Sequence, residues 1–345
     1  MAKKAVLLGN LGSPNSPEVK DVRSYLHEFL MDKRVIDIPF LIRALLVKGI
    51  IVPFRAPKSA AKYKTIWNDN GSPLISISYQ VKKRLENLMN IPVELCMRYA
   101  NPTPQYALNK LHRDNPDLQE LLFVPLYPHY AMSSYETAVE HVRKAHQLGR
   151  YTFALKIVPP FYNHPDYIDS LANSITPFLE KDFDHLLFSY HGIPKRHVLK
   201  TDCTKVHCFS TAHCCSIPSE AHNFCYRHQI IETTNLVAER LRLEKDKFSF
   251  SFQSRLGADE WLKPYSVEQF RNFPHQGIKK LVVVCPAFVS DCLETLEEIQ
   301  VEGRDDFMKA GGAEYTVIPC LNVSMDWMNT IVKLVDSTLD EPIIT

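Results

Sequence analysis

The sequence predicts an α/β protein built as two similar halves, each a parallel sheet covered by helices. Three observations carry this expectation. Short aliphatic runs bounded by turn residues recur along the chain. The runs are continuously apolar rather than alternating, as strands buried on both faces are. Amphipathic helical stretches separate them, which is the pattern of parallel sheets with helical crossovers.

In chain order, the first set of strands is Ala5–Leu8, Val93–Cys96, Leu121–Leu126 and Thr152–Val158. The second set is His185–Ser189, Phe248–Phe252, Lys280–Cys285 and Glu314–Pro319. Helical periodicity is clearest in Ile75–Met89, Thr137–Gln147 and Ile230–Leu243. The halves meet near Phe161–Asp166, giving expected domains of 1–163 and 164–345, with packing of the last helix back on the first half left open. A length of 345 residues agrees with two domains at roughly 150 residues each.

Composition excludes several function classes. The chain carries 40 Lys+Arg against 39 Asp+Glu, so it has no basic footprint for nucleic acid. It is 45% hydrophobic, which rules out disorder as a main theme. Its 11 glycines include neither GxGxxG nor GxxxxGK[ST], so both Gly-rich phosphate cradles are missing. Met1-Ala2-Lys3-Lys4 runs straight into the first strand and reads as no signal peptide. That implies a reducing, cytoplasmic setting, in which the nine cysteines point to metal or redox chemistry more than to disulfides. The apolar stretch Phe40–Phe54 is too short to span a bilayer and is broken by Arg43 and Lys48. It suits either a core helix or an exposed lip on a membrane or a ligand mouth.

In open parallel sheets, ligands sit beyond the carboxyl ends of the strands. In the first half those ends lead into Asn10-Leu11-Gly12-Ser13-Pro14, Met97-Arg98-Tyr99 and Tyr127-Pro128-His129-Tyr130-Ala131-Met132-Ser133. An arginine among hydroxyl groups suits carboxylates, and aromatic rings suit a flat apolar ligand. Packing of Tyr127 and Tyr130 with their tips in water is the plainer alternative. In the second half, Ser189-Tyr190-His191-Gly192-Ile193-Pro194 puts a histidine in a fixed turn at a strand end. Further on, Glu294, Glu298 and Glu302 fall at i, i+4 and i+8 of an expected helix. Such a row is either a solvated acidic face or a line that passes a divalent cation or a proton.

These segments resemble the ferrochelatase family, which inserts ferrous iron into a porphyrin. The matching stretches are Leu8-Gly9-Asn10-Leu11-Gly12-Ser13-Pro14, Gly71-Ser72-Pro73-Leu74, Met97-Arg98-Tyr99, Tyr127-Pro128-His129-Tyr130, Ser189-Tyr190-His191-Gly192-Ile193-Pro194, Phe252-Gln253-Ser254-Arg255, Trp261-Leu262 and Phe288-Val289-Ser290-Asp291-Cys292-Leu293-Glu294-Thr295-Leu296-Glu297-Glu298. The resemblance implies two Rossmann-like domains with a porphyrin cleft between them. It implies that His191 accepts a pyrrole proton or binds metal, with Glu294 its acidic partner and Glu298 and Glu302 a track leading away. It places Leu11, Arg98, Tyr99, Tyr127, Ser133, Trp261 and Phe288 around the porphyrin. The implied substrates are protoporphyrin IX and Fe²⁺, with protohaem as product. A coproporphyrin-using enzyme and a non-catalytic porphyrin or haem carrier are the alternatives. The membrane-loving substrate favours peripheral membrane contact by Phe40–Phe54.

Two departures stand out. Position 292, often histidine in relatives, is Cys292, to which no catalytic role is assigned. The segment 202–225 is an insertion holding Cys203, Cys208, Cys214, Cys215 and Cys225. By resemblance to bacterial relatives it would carry a [2Fe–2S] cluster, with a structural Zn²⁺ as the alternative. The expected quartet is Cys203 or Cys208, one or both of Cys214 and Cys215, and Cys225. Cys96, Cys285 and Cys320 read as small core hydrophobes on buried strands.

Overall fold

The computed structural model describes residues 3–255, 257 and 259–340. Met1 and Ala2, which belong to the expected leading segment, lie outside the described residues, as does 341–345 at the end of the expected second half. The chain forms two compact units. The first runs from the N-terminus to Leu126, then Met132–Pro159, and from Met328 onward; the second holds Tyr127–Ala131 and Pro160–Trp327.

Each unit contains one four-stranded sheet, and every strand pair is parallel. In the first unit the strands are β1 (Lys4–Asn10), β2 (Val93–Met97), β3 (Glu120–Pro125) and β4 (Ala154–Ile157), in spatial order β2-β1-β3-β4. In the second they are β5 (His185–His191), β6 (Phe248–Gln253), β7 (Lys280–Val284) and β8 (Glu314–Val317), in the order β6-β5-β7-β8. All eight expected strands are therefore present. Continuous apolar character arises where a strand has helices on both faces: Ala5, Val6, Leu7 and Leu8 of β1 are all fully buried, as are Leu186, Leu187 and Phe188 of β5.

Helix boundaries follow local chemistry. Thr103 caps the helix Pro104–Asp114 by accepting from the Tyr106 amide, and Pro104 opens it where no amide is needed. The helix Pro73–Met89 likewise opens on proline and closes on Asn90 in the left-handed conformation, φ 53°.

The Phe40–Phe54 stretch is a lip, not a core helix. It forms the helix Phe40–Leu46, a π-turn Val47–Ile51 and the start of the helix Val52–Ile66. Leu41, Leu45 and Phe54 are more than 70% exposed. Only its inner side is anchored, by buried Val47 and Val52 and by Arg43, which donates to the carbonyls of Ile36 and Ile38. No helix among the described residues is long and apolar enough to cross a membrane. Cys96 is buried in β2 and Cys285 is buried just past the end of β7, whereas Cys320 lies past the end of β8 and is only half-buried, so neither Cys285 nor Cys320 is the strand residue expected.

Candidate active site

His191 is the last residue of β5, where the ladder to β6 ends. Its Nδ1 lies 2.7 Å from the Gly192 carbonyl, and its own carbonyl accepts from the Tyr226 hydroxyl at 2.8 Å. The turn that follows requires glycine: a Cβ at position 192 would meet the Gln253 carbonyl at 2.9 Å and the Trp261 ring at 3.2 Å. Trp261 is held to this loop by a bridge to Pro194, and its indole N–H is buried without a hydrogen-bond partner. The Phe288 ring stands 6.3 Å from the imidazole, centroid to centroid.

The carboxylate row lies on a π-helix, Glu294–Gly303, rather than on the expected α-helix. Ten residues is long for a form usually seen as single-turn bulges. Glu294 and Glu298 are half-buried and Glu302 is exposed, so the row runs from the interior to solvent. Gln253 at the end of β6 ties the start of this helix to β5, donating to the Glu294 carbonyl and accepting from the Ser189 hydroxyl. Ser254 follows with φ 66°, an unusual conformation for a non-glycine residue. That conformation aims its amide and hydroxyl at the two oxygens of Glu298, at 2.7 and 2.5 Å. Burial above all raises the Glu298 pKa above the carboxylate range, and Glu294 adds to it, while Ser254 and His191 pull it back. His191, Glu294 and Glu298 thus share one electrostatic neighbourhood. Cys292 is buried beside it, and burial holds its thiol well above the ordinary range, as in an unreactive cysteine.

The other expected porphyrin residues divide between the units. Leu11, Arg98, Tyr99 and Ser133 are in the first, and Tyr127 is in the second. Arg98 is engaged within its unit: it donates to Asp32 Oδ2 at 2.5 Å and to the Thr137 hydroxyl at 2.7 Å, and contacts His141 at 3.3 Å. Tyr99 is fully enclosed, with its hydroxyl on the same Asp32 oxygen. Burial alone would raise the Asp32 pKa, but Thr137, the Arg34 amide, Arg98 and Tyr99 hold it below the usual carboxylate range. Burial, with the Arg98 charge beside it, pushes His141 down to about 4. Leu11 is fixed by its neighbours, since the Tyr99 amide donates to its carbonyl. Gly12 allows this approach, because its φ is 102° and a Cβ there would collide with the Tyr99 carbonyl. Ser133 sits half-buried in a π-turn, Met132–Glu136. Tyr127 is buried, in a segment gripped by the helix Tyr226–Arg240: the Tyr130 amide donates to Gln229 at 2.7 Å and His129 meets Thr233 at 2.9 Å.

A family model described as Ferrochelatase matches residues 3–339. A ferrochelatase of Porphyromonas gingivalis is 44% identical over 337 residues, covering 97% of this chain and 96% of that one. Those of Opitutus terrae and Azotobacter vinelandii are 48% and 44% identical, covering 93% and 97% of this chain and 94% and 98% of theirs.

The chain belongs to the ferrochelatase family. Its fold is also that of two solved chelatases. SirB from Bacillus subtilis with Fe³⁺ matches at a TM-score of 0.56 with 12% identity, over 97% of this chain and 95% of that one. The sirohydrochlorin chelatase SirB from Bacillus subtilis subspecies spizizenii, in complex with cobalt, matches at 0.54 with 10% identity, over 99% and 97%.

The insertion brings four of its five cysteines together. Cys208, Cys214 and Cys225 are buried and Cys215 is half-buried, whereas Cys203 is exposed. The thiols of Cys208, Cys214, Cys215 and Cys225 are close enough to perturb one another, Cys225 acting on Cys215 and Cys208 on Cys225. Sulfur acceptors also receive the amides of Phe209 and His228, each at 3.4 Å, and the Arg227 guanidinium at 3.4 and 3.7 Å. The Cys208 thiol beside Cys225 is the main cause that pushes the latter up to about 12. Asp202 organises the loop, accepting from the amides of Thr204, His207 and Cys208. Burial opposes its ionisation, yet those bonds bring it down to about 2. Among the described residues, no group of three or more His, Cys, Asp or Glu side chains is arranged as a metal site.

The residues not singled out from sequence are those that support the others: Asp32, Tyr226, Arg227 and Asp202. Gln253 and Ser254 were visible as the end of a strand, but only the left-handed turn reveals Ser254 as the partner of Glu298.

Proposed function

We propose that the chain inserts Fe²⁺ into protoporphyrin IX, releasing two pyrrole protons and forming protohaem. One observation supports this best in a chain of the ferrochelatase family: His191, the last residue of β5, shares an electrostatic neighbourhood with a half-buried, Ser254-held Glu298. The porphyrin must lose two protons as it takes up a dication. His191 accepts protons from the pyrrole nitrogens as a general base. Glu294 is its acidic partner, and Glu298 and Glu302 pass protons toward solvent, in keeping with the burial gradient along the row. A carboxyl held above its usual range is well suited to take up and release a proton nearer neutrality. Fe²⁺ sits low in the divalent affinity series, so mixed nitrogen and oxygen ligands favour transfer over trapping.

Leu11, Tyr127, Ser133, Trp261 and Phe288 are read as walls of the porphyrin site. Arg98 and Tyr99 are read as porphyrin residues that their bonds to Asp32 hold rigid within the first unit. Rigid aromatic walls hold the macrocycle bent, which exposes its nitrogen lone pairs to the metal.

Four mutually perturbing thiols, with N–H donors on the sulfurs of Cys214, Cys215 and Cys225, suit a thiolate-held group. Cys208, Cys214, Cys215 and Cys225 would hold a [2Fe–2S] cluster, with Zn²⁺ as the alternative, and Cys203 would not. When bound, either group would supply a covalent knot for the insertion, and the cluster also a one-electron centre. The exposed lip supports peripheral contact with the cytoplasmic membrane face.

The test is anaerobic insertion: purified protein, protoporphyrin IX and Fe²⁺, followed by loss of porphyrin fluorescence. Turnover that His191→Ala abolishes supports the reading. Turnover with coproporphyrin III alone would move the substrate to the other porphyrin, and porphyrin binding without turnover on either would leave a carrier.

A further inference from the structure

The lip has a charged counterpart that the iron-insertion chemistry does not use. A cavity of about 450 Å³ opens between the helix Val19–Leu30 and the π-turn of the lip. Lys20, Arg23 and His27 line one side of it, spaced i, i+3 and i+7 so that they share a helix face. Lys48 closes it from the π-turn, and Val52 and Pro53 give it an apolar wall.

No carboxylate lines the cavity. The acidic residues in and before this helix are turned to other partners: Glu18 pairs with Lys64, Asp21 accepts from the Ser16 hydroxyl, and Glu28 accepts from the Ala100 amide. The lip that supplies Lys48, Val52 and Pro53 to the cavity also carries the exposed apolar residues Leu41, Leu45, Ile50 and Phe54. Cations gathered with an apolar surface fit an anionic group carried on an apolar body, such as the phosphate of a phospholipid.

We propose that this cavity is a recognition site for the phosphate headgroup of an anionic phospholipid, seated as the lip rests on the bilayer. The inference deepens the membrane-contact reading and rests on it. Lys20, Arg23 and Lys48 supply charge, the Ser24 hydroxyl lies at i+4 from Lys20 as a neutral donor, and Val52 and Pro53 meet the glycerol end of the acyl chains. The site would favour anionic over zwitterionic lipid and fix how the lip lies on the surface.

The experiment measures partitioning of the full chain onto vesicles of phosphatidylcholine alone and of phosphatidylcholine with phosphatidylglycerol. Each neutralised cation should lower affinity for the anionic vesicles roughly fivefold, so Lys20→Gln with Arg23→Gln should lose about 30-fold. Affinity for neutral vesicles should not change. Lys245→Gln with Lys247→Gln, an equal loss of charge elsewhere, should have little effect. Leu41→Ser with Leu45→Ser should weaken binding to both vesicles. Equal loss in the two charge variants, or none in the pocket variant, overturns the headgroup site and leaves membrane contact standing. Wild-type protein that ignores both vesicles overturns membrane contact itself. Inorganic phosphate, titrated by calorimetry, separates the other source of the same chemistry: pocket-dependent phosphate binding without a phosphatidylglycerol preference assigns the cavity to a soluble anion and overturns the lipid. A raised KM of the pocket variant for detergent-dispersed porphyrin assigns it to substrate carboxylates, with the same consequence.

Discussion

Ser254 grips Glu298 with both of its donors, the amide at 2.7 Å from one carboxylate oxygen and the hydroxyl at 2.5 Å from the other. The grip makes the ionised form of a buried carboxyl tolerable, since burial pushes its pKa upward and hydrogen bonds to the anion draw it down. Ser254→Ala removes the hydroxyl bond and keeps the amide. A hydrogen bond to a charged group contributes about 1.5–3 kcal/mol. The variant should therefore move the ionisation of Glu298 to higher pH. The pH dependence of kcat should shift in the alkaline direction while porphyrin binding holds.

Glu298→Gln tests the same carboxyl through stability. Its folded pKa lies above the unfolded value, so the proton it carries stabilises the fold at low pH. That contribution is lost as pH rises through the folded pKa. A neutral isostere escapes the loss. Denaturant midpoints of wild type and variant should be close in acid, and the variant should become the more stable of the two toward alkaline pH, while its iron insertion slows.

Asp32 is the anchor of the first unit's site. It accepts from Arg98, Tyr99 and Thr137, so removing its charge leaves a buried guanidinium without its counter-ion. Asp32→Ala should destabilise the protein by about 3–5 kcal/mol, the usual effect of breaking a buried pair, read as a lower midpoint in urea. Because its folded pKa is depressed, the stability that Asp32 contributes is present above the unfolded carboxylate value. It is lost as pH falls through the folded one.

The cysteine insertion separates by residue. Reconstitution with iron and sulfide should give the visible absorption of a cluster in wild type and in Cys203→Ser. Serine at Cys208, Cys214, Cys215 or Cys225 should abolish it. Retention in Cys225→Ser with loss in Cys203→Ser would exchange the roles assigned to the two.

The eight strands were legible because strands buried on both faces must be apolar throughout, and Ala5–Leu8 and Leu186–Phe188 are. The placement of His191 was legible for a different reason, since the apolar run that marks β5 ends at it. The helical form of the Glu294 row was not legible. Spacing at i and i+4 suits an α-turn, and the tether from Gln253 to the Glu294 carbonyl is a long-range contact that no local pattern encodes. Nor did sequence show that Arg98 is already engaged, because Asp32 lies 66 residues away in the chain. The lip was undecidable from pattern alone: Phe40–Phe54 is equally apolar in a core or on a surface, and only the exposure of Leu41, Leu45 and Phe54 separates the two.

The most direct test of the central claim compares wild type, His191→Ala and Glu294→Gln in anaerobic insertion of Fe²⁺ into protoporphyrin IX, with porphyrin binding measured in parallel. Turnover in wild type, a loss of about 10²–10⁴-fold in His191→Ala as for removal of a general base, and porphyrin binding retained in Glu294→Gln with turnover lost are the predicted results. Full turnover in His191→Ala would contradict the assignment of the proton acceptor on which the account rests.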